Sequence, residues 1–357
     1  MEKYRDTYSE INLGDLKDNI TYISEKCRKP MMAIVKANAY GHGACTVAKS
    51  CEETGRVSMF GVATLGEGVE LREGGIQKDI LVLGATRIED ALIASQYDIS
   101  ISVFSMEFVD HLVEAPLAYP LKVHIKLDTG MNRLGLKGKE QFESALETLK
   151  KNPMIQVEGV FTHYGAADEL NSTYDEQFAL YQSIVGDYRF KYMHAANTAG
   201  ALYHYEQLTN LVRAGIAIYG VEPNGSDKTA LKQVMSLKTR VVMVKPLQKG
   251  EFVGYGFTYQ AKEDEYLATV PIGYADGIIR KNQNRHVYIN GRYYRIVGRI
   301  CMDQMMIKVD EHVHVGDEVE IFGKHISLNQ MARELETIPY EILCLLSPRV
   351  QRKYINE

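Results

Sequence analysis

The side chain best suited to covalent chemistry is Lys36, because it directly follows a short apolar run at residues 31–35. That run has the composition of a buried strand, so Lys36 is expected at the strand tip with its amine partly removed from water. Partial burial lowers the pKa of an amine and makes it a nucleophile toward carbonyl groups. A lone lysine beyond a strand is more often a plain surface residue, so this interpretation depends on the other strand ends.

Polar side chains also stand at or just beyond the ends of later apolar runs. These residues are Lys126 and Arg133, His163, Asn197 and Thr198, and Arg213, Gly215 and Ile216. In a barrel of parallel strands the chemistry lies at the C-terminal ends of the strands. We therefore expect these side chains to share one site with Lys36.

The residues that follow the seventh and eighth apolar runs favour the binding of a phosphate group. Small residues and backbone N–H groups surround Thr198 and Gly215, where barrels commonly hold a phosphate. A nucleophilic lysine with an arginine and a histidine nearby then suggests a phosphorylated aldehyde held as a Schiff base, and pyridoxal phosphate is the leading candidate. Each residue alone has an ordinary explanation, such as a helix cap for Asn197. The prediction rests on their joint placement.

Eight short apolar runs alternate with helix-like stretches over the first two-thirds of the chain. The runs are residues 31–35, 59–63, 80–83, 99–103, 122–127, 157–162, 192–196 and 211–213. Between them, residues 15–27, 140–150 and 173–185 carry apolar side chains at helical spacing. The pattern predicts a parallel (β/α)8 barrel of the TIM type, with a doubly wound sheet as the alternative.

From about residue 234 the chain becomes strand-rich, with runs at 237–244, 252–259, 266–270, 286–297, 305–309 and 317–321. Asn290 and Gly291 separate two such runs and are typical of a type I′ hairpin. Two helices are expected near residues 328–335 and 340–346. We predict a barrel over residues 1–230, including a short N-terminal segment, and a mainly β domain over residues 231–357.

The composition excludes several classes of partner. A net charge of −5 and a pI near 6.1 give no reason to expect nucleic acid or an anionic membrane. Five cysteines without a CxxC pair indicate free thiols in a reducing compartment and no metal site. The N-terminus is charged, and no apolar run approaches the ~20 residues of a membrane span. A cytoplasmic location is expected.

Several stretches of the chain resemble bacterial alanine racemases, and the likeness covers nearly its whole length. The matching segments are AIVKANAYGHG (33–43), KLDTGMNRLG (126–135), FTHYGAADE (161–169), HAANTAG (194–200), RAGIAIYG (213–220), VGYGFTY (253–259), PIGYADG (271–277) and VGRICMDQ (297–304). The resemblance implies a pyridoxal phosphate-dependent isomerase built as a barrel plus a β domain. It also implies a head-to-tail homodimer that makes D-alanine for peptidoglycan.

The resemblance also implies a role for each matched residue. Lys36 would hold the cofactor and act as one catalytic base, and Tyr255 of the other subunit would act as the second. The remaining implied roles are cofactor binding for Tyr40, His163, Asn197, Thr198, Arg213, Gly215 and Ile216, substrate binding for Arg133 and the partner's Met302, a possible carboxylated lysine at Lys126, and the entrance for Tyr274 and Arg299.

One position departs from the family pattern. Relatives commonly end in Ser-Tyr-Arg-Val, whereas this chain has Pro348 in place of the tyrosine. Either another residue fills the gap, or the pocket is wider and accepts serine or other amino acids besides alanine. The chain would then also fit the soluble part of a membrane-anchored serine racemase. An amino-acid decarboxylase would be expected to carry an acidic residue where Arg213 stands. A non-catalytic pyridoxal phosphate-binding protein is the alternative from a different class.

Overall fold

The computed structural model of the protein describes residues 4–169, 173–204, 207–227 and 229–356. The chain divides into two compact units. One comprises Leu16–Ala39 and Gly43–Ile218, and the other comprises Met1–Asp15, Tyr40–His42 and Tyr219–Glu357. The boundary expected at residues 230/231 stays a prediction.

The first unit is a barrel with eight parallel strands among its described residues. The strands are Met31–Ile34, Val57–Val62, Asp79–Val82, Ser100–Val103, Leu121–Lys126, Ile155–Phe161, Tyr192–His194 and Val212–Ala214. The first seven pair in chain order, each with the next, and the first also pairs with the eighth. A parallel bridge between His194 and Leu211 joins the two remaining edges. The predicted (β/α)8 barrel is confirmed, and the strands read as unbroken apolar runs because both faces of a parallel sheet are buried.

One helix precedes the first barrel strand and others connect the strands that follow, as their apolar spacing predicts. Their bounds are Leu13–Cys27, Ala44–Glu53, Leu65–Glu73, Ala91–Gln96, Met106–Val113, Gly138–Leu149, Thr173–Val185 and Thr198–Tyr203. In the first helix, Leu16, Ile20 and Ile23 form one fully buried stripe. Side chains cap the N-termini of several of these helices. At Met106–Val113, for example, the Ser105 hydroxyl accepts a hydrogen bond from the backbone N–H of Phe108.

The second unit is built on a sheet with nine strands among the described residues. In sheet order these are Met243–Leu247, Glu265–Val270, Met305–Val309, Arg292–Val297, His286–Ile289, Glu318–Phe322, Met235–Arg240, Tyr8–Asn12 and Gln351–Ile355. Helices Leu328–Leu335 and Pro339–Cys344 follow near the C-terminus. Asn290 and Gly291 both have positive φ between two paired strands, which confirms the predicted hairpin turn.

Two predicted β runs differ in the structure. Residues 252–259 do not form one strand, because Gly254 and Gly256 both adopt φ near 70°. They form two short strands, Phe252–Val253 and Tyr259–Gln260, that pair with each other around a 3-10 turn, Tyr255–Phe257. Residues 237–244 are likewise divided between two strands of the sheet.

Candidate active site

Lys36 lies directly after the first barrel strand and begins a turn of left-handed backbone. Ala37 and the three residues after it have φ between 50° and 53°. Left-handed conformation costs roughly 1–2 kcal/mol for each residue other than glycine, so this turn must be held by its surroundings. The Asn38 side chain accepts a hydrogen bond from the N–H of Ala44 at 2.8 Å, and the Glu67 carboxylate accepts one from Ala37 at 2.7 Å.

Glu67 connects the Lys36 segment to the next strand end. Its second carboxylate oxygen accepts hydrogen bonds from the backbone N–H groups of Ala63 at 2.7 Å and Thr64 at 3.3 Å. The Thr64 hydroxyl in turn caps the helix Leu65–Glu73. One carboxylate therefore satisfies N–H groups from two strand ends. Glu67 was not among the predicted site residues, although the Thr-x-x-Glu capping pattern is visible in the sequence.

Lys126 ends the fifth barrel strand and is only 5% exposed. Burial and the positive charges of Arg133, Arg213 and Lys36 together lower the pKa of its amine to about 8, against the opposing charge of Asp128. These three cations all act on the Lys126 amine. The barrel unit thus brings four of the predicted site residues into one positively charged cluster.

His163 belongs to the same cluster. Burial lowers its pKa well below the ordinary value, and the charges of Arg213, Arg133, Lys126 and Lys36 act in the same direction. The imidazole is therefore neutral at physiological pH. A neutral ring can accept a hydrogen bond from a guanidinium, which a protonated ring cannot.

Arg213 is almost fully buried and is held by several acceptors. Its Nη2 donates to the carbonyl oxygens of Thr162 and Ala195, each at 2.8 Å, and to Nδ1 of His163 at 3.2 Å. Its Nη1 donates to Nδ1 of His194 at 2.8 Å. A planar guanidinium with this many fixed partners has one orientation. His194 stands in the HAANTAG segment, yet the sequence analysis assigned it no role.

Arg133 is exposed on a loop that folds back onto the strand before it. Asp128 Oδ1 accepts hydrogen bonds from the N–H groups of Gly130 at 3.1 Å and Asn132 at 2.9 Å. Gly135 closes the loop with φ 137°, and a Cβ there would lie 2.5 Å from the Asp128 nitrogen. Only glycine fits that position, so the loop geometry around Arg133 is tightly specified.

The residues expected to bind phosphate lie at two neighbouring strand ends. The Thr198 hydroxyl accepts a hydrogen bond from the N–H of Gly215 at 2.8 Å, and Ile216 is fully buried. Asn197 caps the helix Thr198–Tyr203 by accepting from the N–H of Gly200 at 3.0 Å, as its ordinary explanation expects. The contact of these residues with a phosphate stays a prediction.

Tyr40 falls within the second unit. Its ring packs against Tyr219 and Tyr340, with ring centres 5.0 and 5.8 Å apart. The side chain is buried, with 5% exposure. Its predicted contact with the cofactor is untested.

Tyr255 projects from the β unit and is 71% exposed. Its turn depends on Gly256, where a Cβ would lie 2.8 Å from Nη1 of Arg299. The Arg299 guanidinium therefore rests against the backbone next to Tyr255. A pocket of about 390 Å³ is lined by Tyr255, Tyr274, Arg280, Arg299 and Ile300. The unit thus brings Tyr255 together with both residues predicted to line the entrance.

Met302 lies on a segment joined by its backbone to the Tyr274 turn. The carbonyl of Met302 accepts from the N–H of Ala275 at 3.0 Å, and that of Cys301 accepts from Tyr274 at 3.1 Å. A Cβ on Gly273 would lie 2.3 Å from the Cys301 oxygen, so only glycine allows this approach. The side chain of Met302 itself is 52% exposed.

Asp276 supports this part of the β unit, and the sequence analysis did not identify it. Its carboxylate is fully buried, pairs with Arg5 at 2.6 Å and accepts from the N–H of Gly273 at 3.0 Å. Arg349 lies 3.5 Å from the same carboxylate. An acidic residue inside the glycine-rich PIGYADG segment was the available signal.

The charge of the barrel site fits pyridoxal phosphate. The charges of Arg133, Arg213 and Lys36 act on Lys126 there, with Asp128 as the opposing anion, so the site favours an anionic ligand. Lys36 supplies the amine type that condenses with an aldehyde, and Arg213 supplies a fixed cation. Lys36, His163, Thr198 and Arg213 are the residues that would hold such a group.

A parallel barrel with a lysine at a strand end, a fixed arginine and a separate β unit suits an enzyme whose active site lies at the barrel strand ends. Family models describe residues 11–223 as an alanine racemase N-terminal domain and residues 234–354 as an alanine racemase C-terminal domain. The chain is 40% identical to the alanine racemase of Listeria monocytogenes serotype 4b, over 99% of each chain. It belongs to the alanine racemase family, and it is an amino-acid racemase rather than a decarboxylase.

Solved structures agree with this assignment. The alanine racemase of E. faecalis matches with a TM-score of 0.95 and 36% identity, over 99% of each chain. A histidine racemase from Leuconostoc mesenteroides matches with a TM-score of 0.92 and 32% identity, over 99% of each chain. None of the helices in the described part of this chain has the length and apolar character that crossing a membrane requires.

Proposed function

We propose that this protein interconverts L-alanine and D-alanine with pyridoxal phosphate, using Lys36 and the Tyr255 of a second copy as two bases. The observation that carries the proposal is the fixed Arg213 beside His163 and His194, with Lys36, Lys126 and Arg133 close enough for their charges to act on His163. This cluster suits both a phosphorylated cofactor and the carboxylate of an amino acid. Arg133 and the backbone of the partner's Met302 would bind that carboxylate.

Pyridoxal phosphate, when bound, supplies an electron sink that acidifies the Cα proton of an amino acid. Racemisation then requires one base on each face of the Cα atom. Lys36 Nζ would remove or return the proton on one face, and Tyr255 Oη would do so on the other. The guanidinium of Arg299 lies next to the Tyr255 turn.

Arg213 would bond the pyridine nitrogen. An arginine is always charged, so it disfavours protonation of that nitrogen and weakens the electron sink. The Cα proton would therefore be acidified less strongly, and side reactions such as transamination would be limited. The neutral His163, which accepts from Arg213, keeps the guanidinium in place.

Lys126 would be carboxylated on its amine. Its pKa of about 8 leaves an appreciable neutral fraction at physiological pH, and only a neutral amine reacts with carbon dioxide. The product carries a negative charge among Arg133, Arg213 and Lys36, where the ammonium form is disfavoured. A carbamate at this position would bind and orient Arg133.

We also propose a homodimer in the cytoplasm that supplies D-alanine for peptidoglycan. Tyr255, Phe257 and Met302 are more than half exposed in the single chain, which supports a role for this surface in covering a partner's site. The cysteine content supports the location, since five cysteines without a CxxC pair are typical of a reducing compartment.

Isotope exchange tests the two-base proposal. The Tyr255→Phe variant keeps the ring and loses the hydroxyl, so deuterium exchange from D2O should fail mainly for one alanine enantiomer. Tyr266→Phe, another exposed tyrosine of the same unit, should exchange both enantiomers at the wild-type rate. Equal loss of exchange from both enantiomers in Tyr255→Phe would count against two separate bases.

A serine or broader amino-acid racemase is the second candidate. Pro348 stands where relatives commonly carry a tyrosine, and a protein with 32% identity is a histidine racemase. The ratio of kcat/KM for serine to that for alanine should exceed the ratio of relatives with tyrosine. The Pro348→Tyr variant should lower it. An unchanged ratio in that variant would remove the broader specificity.

A further inference from the structure

The barrel interior holds two histidines, His194 and His124, that the proposed proton transfers do not use. Both side chains are fully buried. His194 ends the strand Tyr192–His194 and stacks flat on Phe161, with ring centres 4.8 Å apart. Burial lowers the pKa of His124 to about 3 and that of His194 well below its ordinary value. Both rings are therefore neutral, with one proton each.

The positions of these protons follow from Arg213, because a guanidinium only donates hydrogen bonds. Its Nη1 lies 2.8 Å from Nδ1 of His194, so this Nδ1 is an acceptor and the proton of His194 is on Nε2. Nε2 of His194 lies 3.0 Å from Nδ1 of His124. The Nδ1 of His124 must then accept, and its own proton is on Nε2.

Nε2 of His124, at the end of this series of hydrogen bonds, lowers the stability of the fold. In the part of the protein that the structure describes, no atom accepts a hydrogen bond from Nε2 of His124. An aliphatic side chain would avoid that cost, but it would leave the Nε2 proton of His194 without an acceptor. Gly159 on the paired strand makes room for the imidazole, since a Cβ there would lie 2.4 Å from Nδ1 of His124.

We propose that His124 is a positioning residue for the racemase reaction. Its Nδ1 accepts a hydrogen bond from Nε2 of His194 and so holds His194 in the tautomer whose Nδ1 accepts a hydrogen bond from Arg213. The orientation of the guanidinium is fixed in this way. In the other tautomer His194 would place an N–H against an Arg213 donor, and the two would separate. The proposal rests on the proposed function, in which Arg213 bonds the pyridine nitrogen of the cofactor.

Neutron diffraction of the deuterated holoenzyme tests the tautomers without any assay of activity. Deuterium is expected on Nε2 of both His194 and His124, with both Nδ1 atoms bare. Deuterium on Nδ1 of either histidine would overturn the proposal. This measurement uses the wild-type protein, so it does not depend on whether a variant folds.

Two matched variants test the effect on the reaction. His124→Asn places an amide oxygen where Nδ1 stood and keeps an acceptor for His194, whereas His124→Leu fills similar space without one. His124→Leu should lower kcat/KM about tenfold and shift the pH dependence of the visible absorbance of the bound cofactor. His124→Asn should stay within about twofold of wild type and keep its absorbance profile.

A third variant controls for damage to this part of the barrel. Tyr192 stacks on His124, and its hydroxyl donates to Asp79 at 2.6 Å. Tyr192→Phe removes that hydrogen bond and keeps the ring, so it should leave the absorbance profile unchanged. If His124→Leu and His124→Asn behave alike, the positioning role is wrong while the proposed function stands. A wild-type protein without racemase activity would refute the proposed function as well.

Discussion

Replacing Lys126 by methionine should stabilise the cofactor-free protein below pH 8. The ammonium of Lys126 is buried among cations, and its pKa falls from the ordinary 10.5 to about 8. At 1.36 kcal/mol per pH unit, that difference makes the protonated side chain cost the folded state about 3 kcal/mol. Methionine has a similar length and no charge, so Lys126→Met avoids this cost.

The pH dependence gives the sharper expectation. Between pH 8 and 10.5 the unfolded chain binds this proton and the folded chain does not, so the free energy of unfolding of the wild type rises with pH in this window. Below pH 8 both states are protonated and the full cost is present. The advantage of Lys126→Met should therefore be largest below pH 8 and fade toward pH 10.5.

Urea unfolding at several pH values from 7 to 10.5 measures this difference, in buffer free of carbon dioxide so that the amine stays unmodified. Lys151→Met, at an exposed lysine of the same unit, is the control and should change the free energy of unfolding by less than about 0.5 kcal/mol. The reasoning is refuted if Lys126→Met lowers stability at pH 7, or if its effect is the same at every pH.

Two further substitutions test the supports of the site. Glu67→Ala removes the carboxylate that holds the backbone beyond Lys36, and it should lower the free energy of unfolding measured in urea by about 2–4 kcal/mol. The control Glu70→Ala, at an exposed residue, should change it little. Similar losses in both variants would argue against a supporting role for Glu67. Asp276→Asn removes the buried carboxylate that pairs with the partly exposed Arg5 and should cost about 1.5–3 kcal/mol, whereas Asp303→Asn, at an exposed ion pair, should cost under about 1 kcal/mol. Equal costs would contradict the importance of burial.

Much of the barrel could be predicted from the sequence. Residues 31–35 and the seven later runs are apolar because strands of a parallel sheet are buried on both faces, and that leaves a local signal. The placement of Lys36, Lys126 and Arg213 followed from the rule that chemistry lies at strand ends. In the barrel unit the charges of Lys36 and Arg213 act on Lys126, while the roles predicted for these residues stay predictions.

The backbone around Lys36 could not be predicted. Residues 37–40 contain no glycine, so local propensity gives no sign of four successive left-handed conformations. The Glu67 carboxylate that helps hold them comes from a helix start 30 residues further along the chain. Such strain persists only where the surrounding structure imposes it.

The sequence by itself determined which segments form buried strands, which residue types stand at the strand ends, and which motifs of the family are present. Tertiary structure alone decided that Tyr8–Asn12 pairs with Gln351–Ile355, that His124 meets His194, and that Lys126 has a lowered pKa. Periodicity and turn chemistry are local and can be read along the chain. A hydrogen bond, a register or a pKa depends on groups brought together from distant segments, and only the folded chain specifies which groups those are.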